Sequence, residues 1–211
     1  MNKPIIELLG TKFSNITNVF FSEVLALAIN KRIKTAVSFP NVYICSYAQE
    51  HRNFIPILNQ FDLIIPDGIG VYLASRFLYW RCGFREKIVS TDIWFKLFSH
   101  GYGYKYYFIG GAVDCKAKIE NKFADTGNFN IVGSLFKLSD EVEDLNIINN
   151  SNADILMVAL GTPNQEEWII KYKNKIDIPV IIAVGSGLDF LAGVKNRAPT
   201  FMRNLWLEWF Y

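Results

Sequence analysis

The sequence predicts an α/β fold, a mostly parallel, doubly wound sheet flanked by helices. Two observations carry that expectation. Apolar runs of strand length alternate with helix-period segments from end to end, and the clearest runs, Ile155–Leu160 and Val180–Val184, are continuously apolar. A strand wet on one face alternates polar with apolar, so an unbroken run belongs to a strand covered on both faces. Parallel sheets packed between helix layers produce such strands.

The elements follow in order. Ile5–Leu9 reads as a strand, and Asn18–Arg32 as a helix with Thr17 or Asn18 as cap and Val19, Ser22, Glu23, Ala26, Ile29 and Ile33 along its turns. Thr35–Phe39 is a strand ended by Pro40. Val42–Gln60 is mostly helical, with a kink or break at Pro56. Leu63–Ile65 is a short buried strand, followed by the turn Pro66-Asp67-Gly68 and a helix to about Tyr79. Tyr104–Ile109 is a strand entering Gly110-Gly111, and Ala112–Ala124 is a helix. Asn130–Ser134 is strand-like, and Ser139–Asn149 is an acidic helix capped by Ser139. No repeat, low-complexity tract or linker divides the chain, so residues 1–211 are expected to form one domain.

Composition removes several classes. The chain has 211 residues, long enough to bury about seventy per cent of its unfolded surface without disulfide or metal staples. Its 51% hydrophobic and 15% aromatic content argues against disorder. A net charge of +2 offers no field for bulk nucleic-acid binding. The longest uncharged stretch, Thr35–Gln49, contains Pro40, Asn41 and Ser46 and is too short and polar to span a bilayer. Cys45, Cys82 and Cys115 lie far apart and read as reduced, buried thiols of a cytosolic protein, and His51 and His100 cannot make a His-rich metal centre.

The chemistry is expected where strands run into helices. Loops at the carboxyl ends of parallel strands face a common crevice, and the helix N-termini there offer unpaired N–H groups that favour phosphate. Small and polar residues concentrate at Ser38–Asn41, Pro66–Gly70, Gly110-Gly111, Gly161–Glu166 and Gly185–Asp189. Within Gly161-Thr162-Pro163-Asn164-Gln165-Glu166, Thr162 and Gln165 match a capping box with Pro163 at the first helical position. A cap leaves the clustering of Gly161, Gln165 and Glu166 unexplained, and a diphosphate or sugar ring needs such donors and acceptors. Neither Gly110-Gly111 nor Gly185-Ser186-Gly187 completes a dinucleotide fingerprint. Asp67, Asp92 and Asp189 each follow a strand or open a helix; each alone would be a cap, and three at one rim invite a chemical reading. No D-x-D pair occurs, so no metal is expected to bridge a nucleotide diphosphate. The segment Pro199–Tyr211, with Phe201, Met202, Trp206, Trp209, Phe210 and Tyr211 near Lys195, Arg197 and Arg203, fits either a helix packed on the core or another subunit, or a patch that meets lipid.

These motifs converge on a family. Pro66-Asp67-Gly68-Ile69-Gly70-Val71, Thr91-Asp92, Phe108-Ile109-Gly110-Gly111, Leu160–Glu166, Asp189-Phe190-Leu191-Ala192-Gly193, Arg197-Ala198-Pro199 and Leu207-Glu208-Trp209 stand in its order. The chain resembles, over essentially its whole length, the WecG/TagA/CpsF bacterial glycosyltransferases of glycosyltransferase family 26. The resemblance implies an inverting transferase with a Rossmann-like core, needing neither metal nor cofactor. It would move a sugar from a UDP-sugar to a polyprenyl-diphosphate-linked saccharide, feeding teichoic-acid, capsule or exopolysaccharide synthesis at the inner face of the cytoplasmic membrane. It puts Asp67 at the general-base position. It puts Ser38, Asn41, Thr91, Asp92, Gly110, Gly111, Gly161, Thr162, Pro163, Gln165, Glu166, Gly185, Asp189 and Arg197 in or beside the nucleotide and sugar pocket. The family's Thr-x-Asn reads Ser38-Phe39-Pro40 here with Asn41 one place late, and Gly133-Ser134-Leu135-Phe136 replaces an expected Gly-Tyr-Phe element. Family members usually continue into a basic appendage beyond the position of Tyr211, so a membrane-binding appendage is expected to be missing. Two alternatives stay open: a nucleotide-sugar-binding protein without transferase activity, and a nicotinamide-dependent oxidoreductase. Oligomeric state is open as well.

Overall fold

The computed structural model describes residues 4–100, 102–126, 128–199 and 202. The first strand, β1 (Ile5–Leu8), does not join the main sheet. It pairs antiparallel with β2 (Thr11–Ser14) through Leu9 and Gly10, both at positive φ. Two positive φ values are what a two-residue hairpin turn requires. Phe13 and Leu8 are buried on the inner face of this hairpin. Helix α1 (Asn18–Lys31) is capped as expected by Thr17, whose hydroxyl accepts from Phe20 N, and ends at Arg32 in the left-handed region.

Strand β3 (Thr35–Ser38) leads to α2 (Val42–Glu50), capped by Asn41. The helical stretch breaks at His51 rather than at Pro56. A 3-10 turn, Arg52–Phe54, follows, and Pro56 sits in the first turn of α3 (Ile55–Leu58). That is where a missing N–H costs nothing. Next come β4 (Leu63–Ile64), α4 (Gly68–Tyr79) and α5 (Ser90–His100). Helix α5, unassigned from the sequence, buries Trp94, Leu97 and Phe98 on one face. The second half runs β5 (Lys105–Gly110), α6 (Cys115–Lys122), β6 (Asn130–Leu135), α7 (Glu141–Asn150), β7 (Ile155–Ala159), α8 (Asn164–Tyr172), β8 (Val180–Ala183) and α9 (Gly187–Leu191). Asp140, not Ser139, caps α7: its Oδ1 accepts from Val142 N and Glu143 N, both at 2.9 Å. Ser139 instead donates its N–H to Asp144 Oδ2 at 2.8 Å.

The main sheet has six strands in the order β4-β3-β8-β7-β5-β6, every pair parallel. Alternate residues of its central strands feed two cores. One contains Val37, Tyr106, Phe108, Met157 and Ile182 with side chains from α1, α5, α6 and α9. The other contains Ala36, Tyr107, Ile109, Val158 and Ile181 with the hairpin and residues of α2, α4, α7 and α8. The doubly wound α/β prediction therefore holds, and the continuous apolar runs have the predicted cause: every residue of Ile155–Val158 and Val180–Ala183 is buried.

Candidate active site

The carboxyl ends of β3, β4, β7 and β8 open into one cleft of about 250 Å³. Its lining includes Asn41 after β3, Asp67 after β4, Gly161, Thr162, Gln165 and Glu166 after β7, and Gly185 and Ser186 after β8. Residues from four separate loops thus meet as the parallel topology predicts.

Asp67 stands at the N-cap position of α4, yet its side chain does not cap that helix. The carboxylate turns to the next helix. Oδ1 accepts from Ser90 N at 2.8 Å and Oδ2 from Ser90 Oγ at 2.9 Å. Ser90 is the first residue of α5, so the carboxylate meets the positive end of that helix dipole and ties α5 to the β4 exit. The neighbouring Gly68 turns at φ +81 and donates to Ile88 O at 2.8 Å, which locks the same corner from the backbone. Sequence reasoning passed over Ser90. Its only signal was a serine opening a helix, and no spacing rule links positions 67 and 90.

The β7 exit is not a capping box. Thr162 Oγ1 donates to Glu166 Oε1 at 3.1 Å instead of accepting from a backbone N–H, and Pro163 precedes α8 rather than starting it. Gln165 Nε2 donates to the same Glu166 oxygen at 2.8 Å, while Gln165 Oε1 accepts from Gly185 N at 3.0 Å. A backbone N–H can only donate, which fixes the orientation of the Gln165 amide and joins the β7 and β8 exits. Glu166 is fully buried. Burial pushes its carboxyl up from 4.5 to about 7, against the opposing effect of the hydrogen bonds from Gln165 and Thr162. Its other oxygen, Oε2, has no hydrogen-bond partner among the described residues, and the same is true of the fully buried Ser38 Oγ. Gly161 at φ +74 and Gly185 at φ +51 let the chain turn sharply off the strands at these points.

Of the remaining candidates, all but Asn41 lie outside the lining of this cleft. Gly110 and Gly111 end β5, and a Cβ on Gly111 would sit 3.4 Å from Leu188 of α9. Asp189 sits in α9, 3.3 Å from Lys195 Nζ and accepting from the Cys115 thiol at 3.8 Å. Asp92 is exposed and bound by Arg197 Nη2 at 2.7 Å, with the Arg197 guanidinium 5.2 Å from the Phe95 ring centre. Thr91, next to Ser90, is half-buried in the first turn of α5. Asn41 lines the cleft with its Oδ1 committed to Ile44 N at 3.1 Å. The prediction of buried thiols is corrected at one position, since Cys82 is exposed while Cys45 and Cys115 are buried. The aromatic stretch expected to pack or meet lipid, apart from Met202, lies outside the described residues. No helix among the described residues is long and apolar enough to cross a membrane.

Chemically, the cleft brings one carboxylate, in a hydrogen-bonded corner, and a second, buried carboxyl into one lining. No lysine or arginine stands among its described lining residues, while Lys195 and Arg197 stand on the Asp189 side. Such a cleft, lined by hydroxyl, amide and carboxyl groups, suits a neutral, hydroxyl-rich ring. Among the described residues, no group of three or more His, Cys, Asp and Glu side chains is arranged to hold a metal ion.

Comparison with known proteins bears on what such a cleft serves. The model of the Glycosyl transferase WecG/TagA/CpsF family matches residues 6–211. The chain is 31% identical over 208 residues to the N-acetylglucosaminyldiphosphoundecaprenol N-acetyl-beta-D-mannosaminyltransferase of Bacillus subtilis (strain 168), covering 94% of this chain and 78% of that protein. It is 26% identical over 220 residues to the protein of the same description from Staphylococcus aureus (strain NCTC 8325 / PS 47), covering 100% of this chain and 84% of the relative.

Proposed function

The chain belongs to the WecG/TagA/CpsF glycosyl transferase family and is a glycosyltransferase, and from that premise we propose the reaction it performs. The donor is a UDP-sugar, with N-acetylmannosamine or another hexose as the sugar. The acceptor is a polyprenyl-diphosphate-linked saccharide, in keeping with the acceptor in the names of both relatives. The setting is the inner face of the bacterial cytoplasmic membrane, with the protein bound peripherally.

In this reading the sugar ring occupies the cleft and the acceptor hydroxyl approaches Asp67. The hydroxyl is a poor nucleophile until its proton moves to the Asp67 carboxylate. Its oxygen then bonds to the anomeric carbon from the side opposite UDP. The bond from that carbon to the diphosphate oxygen breaks, and UDP departs with the electron pair. Inversion follows from the opposed faces of attack and departure. Helix N-termini and backbone N–H groups, with the cationic side chains beyond Asp189, meet the charge growing on the diphosphate, and no metal takes part. Ser90 holds both Asp67 oxygens and so orients the base; Gln165, Thr162 and Glu166 are sugar contacts.

The observation that carries this reading is the sharing of one cleft by Asp67 and the Gly161–Glu166 and Gly185-Ser186 loops. Release of UDP from a UDP-sugar in the presence of a lipid-diphosphate acceptor tests it. Turnover that disappears in Asp67→Asn, with UDP binding kept, is the expected result. UDP binding with no transfer to any acceptor would favour a nucleotide-sugar-binding protein instead.

A further inference from the structure

The outer end of α4 carries a surface that the cleft does not use. Leu73 and Phe77 lie four residues apart on one side of α4, and Leu78 and Trp80 stand at its end, Trp80 in the 3-10 turn that follows. Phe77 is 87% exposed, Trp80 75%, Leu78 58% and Leu73 50%. Arg76, Arg81 and Arg85 are exposed on the same stretch of chain, and no ion pair is seen for any of them among the described residues. No acidic residue occurs from Gly68 to Arg85. The next one, Glu86, is taken up by Asn18, whose N and Nδ2 donate to it at 2.8 and 2.7 Å.

The patch is held in place. Phe84 N donates to Ser75 Oγ at 3.0 Å, folding the Trp80–Cys82 turn back along α4. Gly83 makes that return possible, because a Cβ there would lie 3.0 Å from both Arg76 Cα and Ser75 O. On its inner side α4 buries Val71 and Ser75, and the Tyr79 hydroxyl donates to Glu7 O of the hairpin. The apolar and cationic groups therefore face outward from a fixed support.

We propose that this end of α4, with the exposed Leu73, Phe77, Leu78 and Trp80 and the exposed Arg76, Arg81 and Arg85, is the surface that seats the protein on an anionic lipid bilayer. Aromatic rings and arginines together match the interfacial zone, where rings enter the headgroup region and cations meet lipid phosphate. Charge also argues against a second copy of the chain as occupant. A two-fold contact would set the three arginines against their own counterparts, with no acidic residue in the patch to neutralise them. The inference rests on the reading above, in which the acceptor is lipid-linked. Helix α4 begins one residue after Asp67 and is 12 residues long, so it spans about 18 Å between the cleft and the bilayer.

The exposed thiol of Cys82 lies in the patch, while Cys45 and Cys115 are buried, so an environment-sensitive fluorophore on Cys82 reports its surroundings. Vesicles of phosphatidylglycerol and phosphatidylcholine in equal parts are expected to blue-shift that probe. Pure phosphatidylcholine vesicles should do so far less, and added salt should reverse the shift. The double variant Phe77→Ser/Trp80→Ser should lose about tenfold or more in vesicle co-sedimentation. Arg76→Gln/Arg81→Gln should abolish the preference for anionic lipid. Unchanged vesicle binding by both variants would overturn the proposal and hand attachment to another part of the chain. A probe shift that follows protein concentration without vesicles would overturn it in favour of self-association. If the double variant does not fold, quenching of the Cys82 probe by brominated lipid in the otherwise unaltered protein decides the matter, and absence of quenching refutes it. Transfer to a detergent-dispersed acceptor tests the catalytic reading separately, and the Phe77/Trp80 variant should retain it.

Discussion

Ser90 holds both oxygens of Asp67, its N–H on Oδ1 at 2.8 Å and its hydroxyl on Oδ2 at 2.9 Å, across 23 positions of sequence. A carboxylate gripped in this way, with the N–H on one oxygen and the hydroxyl on the other, has a fixed plane at the rim of the cleft. The pair also anchors the N-terminus of α5 to the exit of β4.

Two substitutions separate chemistry from positioning at this pair. Asp67→Asn retains an acceptor for Ser90, so the fold and UDP binding should survive while kcat falls about a hundred- to ten-thousand-fold. Ser90→Ala removes one hydrogen bond and leaves the carboxylate, so kcat should fall about tenfold with KM for the donor little changed. Equal losses in both variants would mean that Asp67 serves only to hold α5.

Glu166 makes stability depend on pH. Its carboxyl is raised from 4.5 to about 7 in the folded protein, so the folded state binds more protons than the unfolded state between those values. Stability must then fall as pH rises through that window, by about 3 kcal/mol in all. Glu166→Gln imitates the neutral acid and should flatten this dependence, making the variant the more stable form at pH 8. Urea unfolding midpoints at pH 5 and pH 8 measure it, and parallel curves for the two proteins would contradict the assignment.

Two glycines predict unequal outcomes. Alanine at Gly161 meets no heavy atom within 4 Å and suffers only from φ +74, a cost of about 1–2 kcal/mol. Alanine at Gly110 combines φ +79 with overlap of the Ala159 carbonyl, backbone that cannot move aside. Thermal melts should show a modest decrease for Gly161→Ala and failure to accumulate folded protein for Gly110→Ala.

Transfer should continue at full rate in the presence of EDTA, because the charge on departing UDP is assigned to amide N–H groups and cationic side chains. A loss of turnover restored by magnesium or manganese would require ligands that the cleft residues do not supply.

Much of the fold was legible because its signals are local. The β7 and β8 strands announced themselves by unbroken apolar runs, α1 by its period and its Thr17 cap, and the strand exits by glycines at positive φ. The errors also have local causes. Thr11–Ser14 is too short to display a period, so Ile5–Leu9 was read as a strand without the antiparallel partner that makes it a hairpin. Thr162 and Gln165 satisfy the spacing of a capping box, but a buried carboxyl at Glu166 outcompeted the backbone for both side chains. Asp67 has the sequence signature of a cap for α4 and in space serves the N-terminus of α5. Asp92 and Asp189 read alike with Asp67 and yet pair with Arg197 and Lys195, outside its cleft.

By itself the sequence determined the layered α/β architecture and the loops from which a site would be built. Periodicity, caps and backbone freedom act over a few residues and are written where they act. Which of those loops face one another was decided only when the strands took the order β4-β3-β8-β7-β5-β6. That order brings the exits of β3, β4, β7 and β8 into one cleft and sets Gln165, beside the buried Glu166, against Gly185. Contacts between distant positions are chosen by the burial of whole faces at once, and no short stretch of chain carries that information.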